Sequence, residues 1–301
     1  MGRPEITERF IEAAGVRTRL LETRGSRLGG PPLLLLHGYS DSADTWRPLM
    51  LDLADRRQRS VAIDLQGFGK ADRLVPDEPM LEQFARLIDG VLAQIAPDEP
   101  AVIAGNSMGG AATLLAAERR PSPAGIVPID PAGFDHPRWF GLISQQPLLR
   151  FLLADRNPVP TPLIRAIVAQ LFRQLAFARP LRARRDVLHR FAQHFESRRD
   201  VRRLLHTGRR LLPELESPFD HSRIECPVLL IWGDGDRMVH HDGSRHLRDA
   251  LPATRYELLP GIGHCPQLEC PAIVGELLAE FCREVRVAPA ADVAPPAAVA
   301  G

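Results

Sequence analysis

Lysine is almost absent from this chain, which has 38 lysine and arginine residues in all, and Lys70 is the only lysine among them. We attribute this bias to genome composition and infer no function from it. The chain also has little net charge, because its 37 acidic residues leave a balance of +1 at pH 7. This balance gives no indication of nucleic-acid binding, which usually requires a clear excess of basic residues.

Cysteine and long apolar runs are scarce as well. The cysteines all lie in the last quarter of the chain, without a C-x-x-C spacing: Cys226, Cys265, Cys270 and Cys282. They predict free thiols in a reducing compartment rather than a disulfide framework or a zinc site. No uncharged apolar run approaches the ~18 residues of a membrane-spanning helix, and residues 1–5 have no apolar core that would indicate a signal peptide. We therefore expect a cytoplasmic protein without an integral membrane segment.

The chain contains instead short apolar runs that alternate with helical patterns. Residues 6–24 alternate apolar and polar side chains around Gly15, which predicts an antiparallel hairpin. Short apolar runs predict strands, most of them buried on both faces, at 33–36, 60–64, 101–104, 126–130, 226–232 and 254–259. Apolar periodicity predicts helices at 80–95, 243–251 and 271–285. Strands and helices in alternation predict an α/β domain built around a mostly parallel sheet.

The alternation stops at about Phe134, and no convincing strand is predicted over residues 134–222. Helical stretches separated by prolines, at 163–177, 183–196 and 200–212, predict a helical cap. This cap would interrupt an α/β core formed by residues 1–133 and 223–287. The segment contains sixteen arginines and eight acidic residues. The excess predicts either a solvated helix surface or a basic rim that attracts an anionic substrate.

The last fourteen residues, 288–301, are nearly all alanine, proline and valine. Such a composition offers too little variety of side chains to pack into a core. We therefore predict a disordered tail.

Ser107 lies where a short buried strand turns into a helix, because an apolar run precedes it and good helix formers follow it. Gly105 and Gly109 flank it in the pattern G-x-S-x-G, which is typical of a nucleophile elbow. A Cβ at either flank would clash, since strand and helix backbones nearly touch in so sharp a turn. The hydroxyl is lifted clear of the sheet, at a helix N-terminus that can bind developing negative charge. A Gly-Ser turn without chemistry is the alternative interpretation.

A serine hydroxyl needs a base to remove its proton, and the base needs a carboxylate that holds its tautomer. Asp236 follows the strand predicted at 226–232, and His264 follows the strand predicted at 254–259. Because the carboxyl ends of parallel strands meet at one edge of a sheet, we expect these residues to converge with Ser107. The chain therefore offers a serine, an aspartate and a histidine in the order Ser107, Asp236 and His264, each after a predicted strand.

Five motifs in this order resemble those of α/β-hydrolase fold enzymes, over about residues 8–285. They are Leu36-His37-Gly38-Tyr39, Asp64-Leu65-Gln66-Gly67-Phe68-Gly69, Gly105-Asn106-Ser107-Met108-Gly109-Gly110, Trp232-Gly233-Asp234-Gly235-Asp236 and Gly263-His264-Cys265-Pro266-Gln267-Leu268-Glu269. The resemblance implies a mostly parallel sheet with helices on both faces and an inserted helical cap. It also implies Ser107 as nucleophile, Asp236 as acid and His264 as base. The oxyanion hole that it implies is formed by the backbone N–H groups of Tyr39 and Met108.

Two other carboxylates compete with Asp236 for the role of the acid. Asp234 lies two residues earlier in the same loop. Asp130 follows the strand at 126–130, where some members of this fold carry the acid. The spacing of the resembling motif favours Asp236.

Other residues of suitable chemical type have structural interpretations. We expect Asp64 to hold its glycine loop together and the ring of His37 to fix the oxyanion loop. His240 and His241 are expected in a surface loop. Cys265 is adjacent to His264 and could modulate it, but we expect it to be buried packing.

The resemblance implies hydrolysis of a small-molecule carboxylic ester through an acyl-enzyme, without cofactor or metal. A serine nucleophile argues against the haloalkane dehalogenases and epoxide hydrolases of this fold, which carry aspartate. The elbow is also similar to that of C–C bond hydrolases acting on ring-cleavage products. However, loop 38–42 lacks their Gly-Pro-Gly type insert, and Cys265 stands where they usually carry tryptophan. A non-catalytic ligand-binding protein is a third alternative.

The cap is expected to shape a mainly apolar pocket over the three converging loops. The candidate lining residues are Phe140, Leu142, Ile143, Phe151, Leu152, Phe172 and Phe177. For most of them, packing within the cap is the alternative interpretation. The sequence leaves the oligomeric state open, a homodimer included.

Overall fold

The structure is a computed structural model, and the residues it describes are 4–23, 30–119, 121–134, 160–182, 197–216 and 219–287. The predicted tail, 288–301, and the helix predicted at 183–196 therefore lie outside the described residues. So do the candidate lining residues between 135 and 159.

The strands of the described chain form one eight-stranded sheet in the order β1-β2-β4-β3-β5-β6-β7-β8. Their bounds are β1 Ile6–Ala13, β2 Val16–Thr23, β3 Leu33–Leu36, β4 Ser60–Ile63, β5 Val102–Asn106, β6 Gly125–Ile129, β7 Leu229–Gly233 and β8 Arg255–Leu259. The β1–β2 hairpin is antiparallel and also pairs antiparallel with β4, whereas all other pairs are parallel. The predicted hairpin and mostly parallel sheet are confirmed.

Helices cover both faces of the sheet. Their bounds are α1 Arg47–Asp55, α2 Met80–Ile95, α3 Met108–Ala117, α4 Thr161–Ala176, α5 Arg198–Glu214, α6 Ser244–Ala250, α7 Pro266–Glu269 and α8 Pro271–Val287. Helices α1 and α8 pack on one face, in the core that contains Leu33 and Leu35. Helices α2, α3 and α6 pack on the other face, in the core that contains Leu34 and Leu36.

The run Leu33–Leu36 shows why the central strands are continuously apolar. Alternate side chains of a strand point to opposite faces, and here both faces carry helices. All four leucines are consequently buried, two in each core. A polar residue at any of these positions would have to find a partner inside a packed layer.

Helices α4 and α5 belong to residues 134–222, which we call the insertion. They pack on each other through a small apolar cluster that includes Ile164, Val201 and Phe172. Helix α5 begins with a capping box between Ser197 and Asp200, which satisfies two backbone N–H groups at that end of the helix. The helices predicted at 163–177 and 200–212 thus extend over 161–176 and 198–214.

The insertion is fixed to the core at its far end by Glu214. Its carboxylate accepts hydrogen bonds from the backbone nitrogens of Met80 (2.7 Å) and Leu81 (2.9 Å) at the start of α2. Negative charge at a helix N-terminus is favourable, since the first N–H groups have no intrahelical partner. Helix α5 is therefore tied to α2.

Within the described residues, no helix combines the length and apolar composition needed to cross a membrane.

Candidate active site

Ser107 occupies a sharp turn between β5 and α3, with φ of +55°. A non-glycine residue in this region is strained and must be held by its surroundings. Here Ser107 N donates to Ile129 O (2.9 Å), and Ser107 O accepts from Ala111 N (3.0 Å) and Ala132 N (3.1 Å). These three bonds anchor the turn to β6 and to the first turn of α3.

The two flanking glycines are required by close backbone contacts. A Cβ on Gly105 would lie 2.1 Å from the carbonyl oxygen of Gly109, and a Cβ on Gly109 would lie 2.3 Å from the carbonyl oxygen of Leu36. Both distances are far below van der Waals contact, so no side chain fits. The prediction that strand and helix nearly touch at this turn agrees with the structure.

Asp236 and His264 meet beside this turn, in the loops that follow β7 and β8. The Nδ1 atom of His264 lies 2.7 Å from Oδ2 of Asp236. The other oxygen of Asp236 accepts from the backbone nitrogens of Met238 (2.7 Å) and Val239 (3.0 Å). Both side chains are buried. With its Nδ1 proton donated to Asp236, the imidazole of His264 presents Nε2 as an acceptor.

Asp234 is directed elsewhere, although it lies only two residues before Asp236. Its Oδ1 accepts from the backbone nitrogen of Gly261 at 2.6 Å, and the residue is exposed. Asp234 therefore holds the β8 loop, while Asp236 contacts His264.

Asp130 lies closer to His264 than the sequence alone suggested. It is fully buried at the end of β6, with φ of +44°, and its Oδ1 accepts from Gly233 N at 2.9 Å. Carboxylate oxygens of Asp130 and Asp236 and a ring nitrogen of His264 all lie within 4.8 Å of one another. Burial, followed by the charge of Asp236, raises the pKa of Asp130 well above its usual range.

The predicted oxyanion loop lies against Ser107. A Cβ built on Gly38 would be 3.4 Å from the Cβ of Ser107, which places the Gly38–Tyr39 backbone next to the elbow. His37 fixes this loop, since its Nδ1 bonds Gly38 O (2.8 Å) and its Nε2 accepts from Leu65 N (2.9 Å). Met108 is the first residue of α3, where a backbone N–H has no intrahelical acceptor.

Asp64 and the remaining candidates have the structural surroundings expected of them. Asp64 accepts from Arg19 (2.9 Å), Ala43 N (2.8 Å) and Lys70 N (2.8 Å), which joins three segments. The adjacent rings of His240 and His241 lie in the loop after β7, where His240 is exposed. The thiol of Cys265 is buried, and burial raises its pKa strongly.

Two apolar cavities meet at Ser107 and His264. The larger encloses about 960 Å³, including space at its mouth, and is lined by residues of the oxyanion loop, α4, α5 and the β7 and β8 loops. The smaller encloses about 480 Å³ and is lined mainly by Met108, the C-terminal half of α5 and the β7 loop. Tyr39 and Met238 line both cavities. Ser107 thus has apolar space in two directions.

Phe172 is among the lining residues of the larger cavity, as predicted. Phe177 is buried instead against Phe172 and Cys265, so for this residue packing is the correct interpretation. The other five predicted lining residues lie outside the described part of the chain. The apolar side chains of α4 and α5 that line the cavity were not singled out by the sequence: Val168, Leu171, Leu175, Val201, Leu204 and Leu205.

The end of α4 is wedged against the His264 loop. His264 N donates to Ala176 O at 2.9 Å, and Arg237 in the Asp236 loop donates to Gln174 O at 3.2 Å. Glu269 joins the two segments, since its carboxylate accepts from Gly263 N (2.6 Å) and Ala178 N (3.3 Å). The insertion therefore supports the loops that carry the candidate acid and base.

A second group of positioning residues was also missed by the sequence analysis. Asn106 donates through Nδ2 to His264 O at 2.9 Å, and Gln267 donates through Nε2 to Asn106 Oδ1 at 3.1 Å. These bonds link the elbow directly to the His264 loop. The sequence feature that could have indicated these residues is their position inside two of the motifs that resemble those of α/β-hydrolase fold enzymes.

Comparison with known proteins places the chain among hydrolases. A family model described as the alpha/beta hydrolase fold matches residues 31–271. A relative from Paraburkholderia phymatum, 2-hydroxy-6-oxononadienedioate/2-hydroxy-6-oxononatrienedioate hydrolase, is 25% identical over 264 residues, which cover 84% of this chain and 87% of that protein.

Two solved structures are also similar to this one. A bacterial membrane phospholipase A shares 25% identity at a TM-score of 0.72, covering 94% of this chain and 87% of that one. A thermophilic esterase from Thermogutta terrifontis shares 20% identity at a TM-score of 0.73, covering 93% of this chain and 99% of that one. At 20% identity, the likeness to the esterase establishes the fold alone.

Proposed function

Since the chain belongs to the α/β-hydrolase fold family, we propose that it is a serine hydrolase that cleaves carboxylic esters of small to medium apolar substrates. The observation that carries this proposal is the position of Ser107 between two apolar cavities, beside a His264 that is bonded to Asp236. We propose Ser107 as nucleophile, His264 as base and Asp236 as acid. The insertion acts in this proposal as a cap over the site.

Acylation follows from this arrangement. His264 Nε2 takes the hydroxyl proton of Ser107, whose oxygen attacks the ester carbonyl carbon. Asp236 stabilises the imidazolium that forms, through the 2.7 Å contact with Nδ1. The N–H groups of Tyr39 and Met108 bind the oxyanion, and each such donor is worth about 3 kcal/mol in a transition state. His264 then protonates the leaving alcohol.

Deacylation repeats the same steps with water. His264 removes a proton from a water molecule, whose oxygen attacks the acyl carbon bonded to Ser107. The tetrahedral intermediate uses the same two N–H groups, and its collapse returns the proton to Ser107 and releases the carboxylic acid. Apart from the substrate and this water molecule, the proposed steps use only side chains and backbone groups of the chain.

The two cavities favour substrates with apolar groups on both sides of the ester. An acyl chain in the larger cavity would contact α4 and α5, and the alcohol would occupy the smaller cavity beside Met108. Each buried methylene contributes about 0.8 kcal/mol to binding. Activity should therefore rise with acyl length until the larger cavity is filled.

Hydrolysis of a C–C bond is the second candidate function, and the name of the Paraburkholderia phymatum relative favours it. A dienedioate of the kind named there carries carboxylate groups. Among the described residues that line the larger cavity, Asp41 can carry a negative charge and His264 can take up a proton. None of these lining residues is lysine or arginine. Apolar surfaces and an acidic side chain disfavour an anionic substrate, so we prefer the ester.

A graded panel of substrates tests the proposal. We expect the purified protein to hydrolyse 4-nitrophenyl esters, with kcat/KM rising about fourfold per methylene from acetate to hexanoate, as methylene burial predicts. A vinylogous 1,5-diketone ring-cleavage product should be cleaved more slowly than the best ester. The opposite ranking would establish the C–C reaction. Absence of turnover on every substrate, together with no labelling of Ser107 by a serine-directed phosphonate, would refute a serine hydrolase.

Asp41 gives a second, pH-dependent test. Burial raises the pKa of Asp41 to about 7, so the side chain is neutral below this pH and negatively charged above it. An ester whose acyl end bears a carboxylate should therefore lose kcat/KM relative to a neutral ester of equal length as pH rises from 6 to 8. We expect a loss of about tenfold, which corresponds to 1.4 kcal/mol of repulsion.

Asp41→Asn should remove this relative loss. Asp242→Asn is a control of equal charge change, because Asp242 is exposed in the β7 loop and lies outside both cavity linings. If the ratio of kcat/KM for the anionic ester to kcat/KM for the neutral ester is independent of pH in the unmodified protein, the assignment of Asp41 to substrate selection is contradicted.

A further inference from the structure

Asp130 is a buried carboxyl group that the proposed mechanism does not use. Its Oδ1 has a backbone donor, Gly233 N. No N–H or O–H group of another residue with a described position donates to its Oδ2. A buried oxygen left without a donor costs free energy, and an ionised carboxylate in that position costs far more. The group must therefore be neutral, or its charge must be compensated.

Among the described groups that act most strongly on Asp130, only the backbone N–H of Gly233 favours its ionised form. The neighbouring carboxylates of Asp236 and Glu269 both disfavour its ionisation. Other titratable groups that interact with it, in the described residues, are an imidazole, a phenol and two thiols: His264, Tyr256, Cys265 and Cys270. Carboxylate oxygens of Asp130 and Asp236 lie within 4.8 Å of each other, and two carboxyl groups that share a buried site do not both ionise readily, so that one of them keeps its proton.

Asp130 is the partner that keeps this proton. Asp236 has three donors, the backbone nitrogens of Met238 and Val239 and the ring of His264, and each favours its ionised form. Asp130 has one backbone donor among the described residues and is fully buried. A carboxylate oxygen of Asp130 lies within 4.8 Å of one of Asp236, and the interaction with Asp236 favours the protonated form of Asp130 and raises its pKa.

We propose that Asp130 is a neutral carboxylic acid that donates a hydrogen bond from Oδ2 to Asp236, and thereby acts as a positioning residue for the acid of the triad. The bond withdraws charge from Asp236 and fixes its orientation towards His264. It makes Asp236 a weaker stabiliser of the imidazolium than an isolated carboxylate. This inference rests on the proposed roles of Asp236 and His264.

Two substitutions separate a neutral donor from a charged group and from a purely structural one. Asp130→Asn retains an oxygen for Gly233 N and an N–H donor for Asp236. We expect it to keep kcat/KM for 4-nitrophenyl butyrate within about threefold, with an unchanged acid limb of the pH profile. Asp130→Ala removes the donor, so the limb should move to higher pH by about 0.5 unit or more.

The other outcomes overturn the proposal. If Asp130 is ionised, both variants lose a negative charge that favours the imidazolium, and the limb moves to lower pH in both. If Asp130 only holds the backbone of Gly233, Asp130→Ala lowers activity without moving the limb. Titration of the His264 ring followed by NMR measures the same displacement without any substrate.

Infrared spectroscopy tests the protonation state directly and does not depend on activity or on Asp130→Ala folding. The difference spectrum between the unmodified protein and Asp130→Asn at pH 8 should contain the carbonyl stretch of a protonated carboxylic acid. A carboxylate band in its place overturns the proposal. If the protein hydrolyses no ester, the proposed function fails while this band and the His264 titration still decide the state of Asp130.

Discussion

Ser107→Ala should abolish ester hydrolysis. We expect kcat for 4-nitrophenyl butyrate to fall by at least ~10⁴-fold, because the acyl-enzyme cannot form without the hydroxyl oxygen. KM should change little, since alanine removes one oxygen from cavities that are otherwise apolar. Steady-state kinetics measure both quantities, and mass spectrometry should show no phosphonate adduct on the variant.

The matched control is Ser222→Ala, which removes a serine hydroxyl from an exposed turn outside both cavity linings. It should retain the activity and the phosphonate labelling of the unmodified protein. Thermal unfolding should show that the Ser107→Ala variant is folded. We do not expect removal of the Ser107 hydroxyl to destabilise the protein. Substantial turnover by Ser107→Ala would assign the nucleophile to another residue.

Asp236→Asn should have an effect of similar size for a different reason. The asparagine oxygen can still accept from Met238 N and Val239 N, as Asp236 does. Its amide group then faces His264 Nδ1 and donates to it, which places the ring proton on Nε2. A ring protonated at Nε2 cannot remove the proton of Ser107, and kcat at neutral pH should fall by about 10⁴-fold.

Asp234→Asn is the control for this prediction, because it alters the neighbouring aspartate in the same loop. Asp234 contacts Gly261 N and not His264, so kcat should remain within about threefold. A larger loss in Asp234→Asn than in Asp236→Asn would exchange the proposed roles of the two aspartates.

The elbow and the sheet were predictable from local sequence because their causes are local. In a strand, the side chains of four consecutive leucines point alternately to both faces of the sheet, so all four are buried only if both faces are covered. Strand β3 lies in such a position. Gly105 and Gly109 indicated a backbone approach that the structure shows directly. The meeting of Asp236 and His264 could be predicted from their positions after strands, since a parallel sheet brings such loops to one edge.

Contacts between distant segments could not be predicted in this way. The link from Asn106 to Gln267 joins residues 161 positions apart, and the support of His264 by Ala176 joins the core to the insertion. The cavity depends on which sides of α4 and α5 face the elbow, and helical periodicity does not determine this. Side chains such as Leu204 and Leu171 therefore became lining residues only in the folded chain.

Asp130 shows most clearly the division between sequence and tertiary structure. The sequence placed it after a strand and offered it as one of two aspartates that compete with Asp236 for the role of the acid. The fold places both carboxyl groups within 4.8 Å of one another and of His264. By itself, the sequence determined the fold, the position of the proposed nucleophile and the residue types that converge on it. Only the tertiary structure decided how charge and protons are shared, because protonation depends on distance and burial, and these exist only once the loops after β6, β7 and β8 have met.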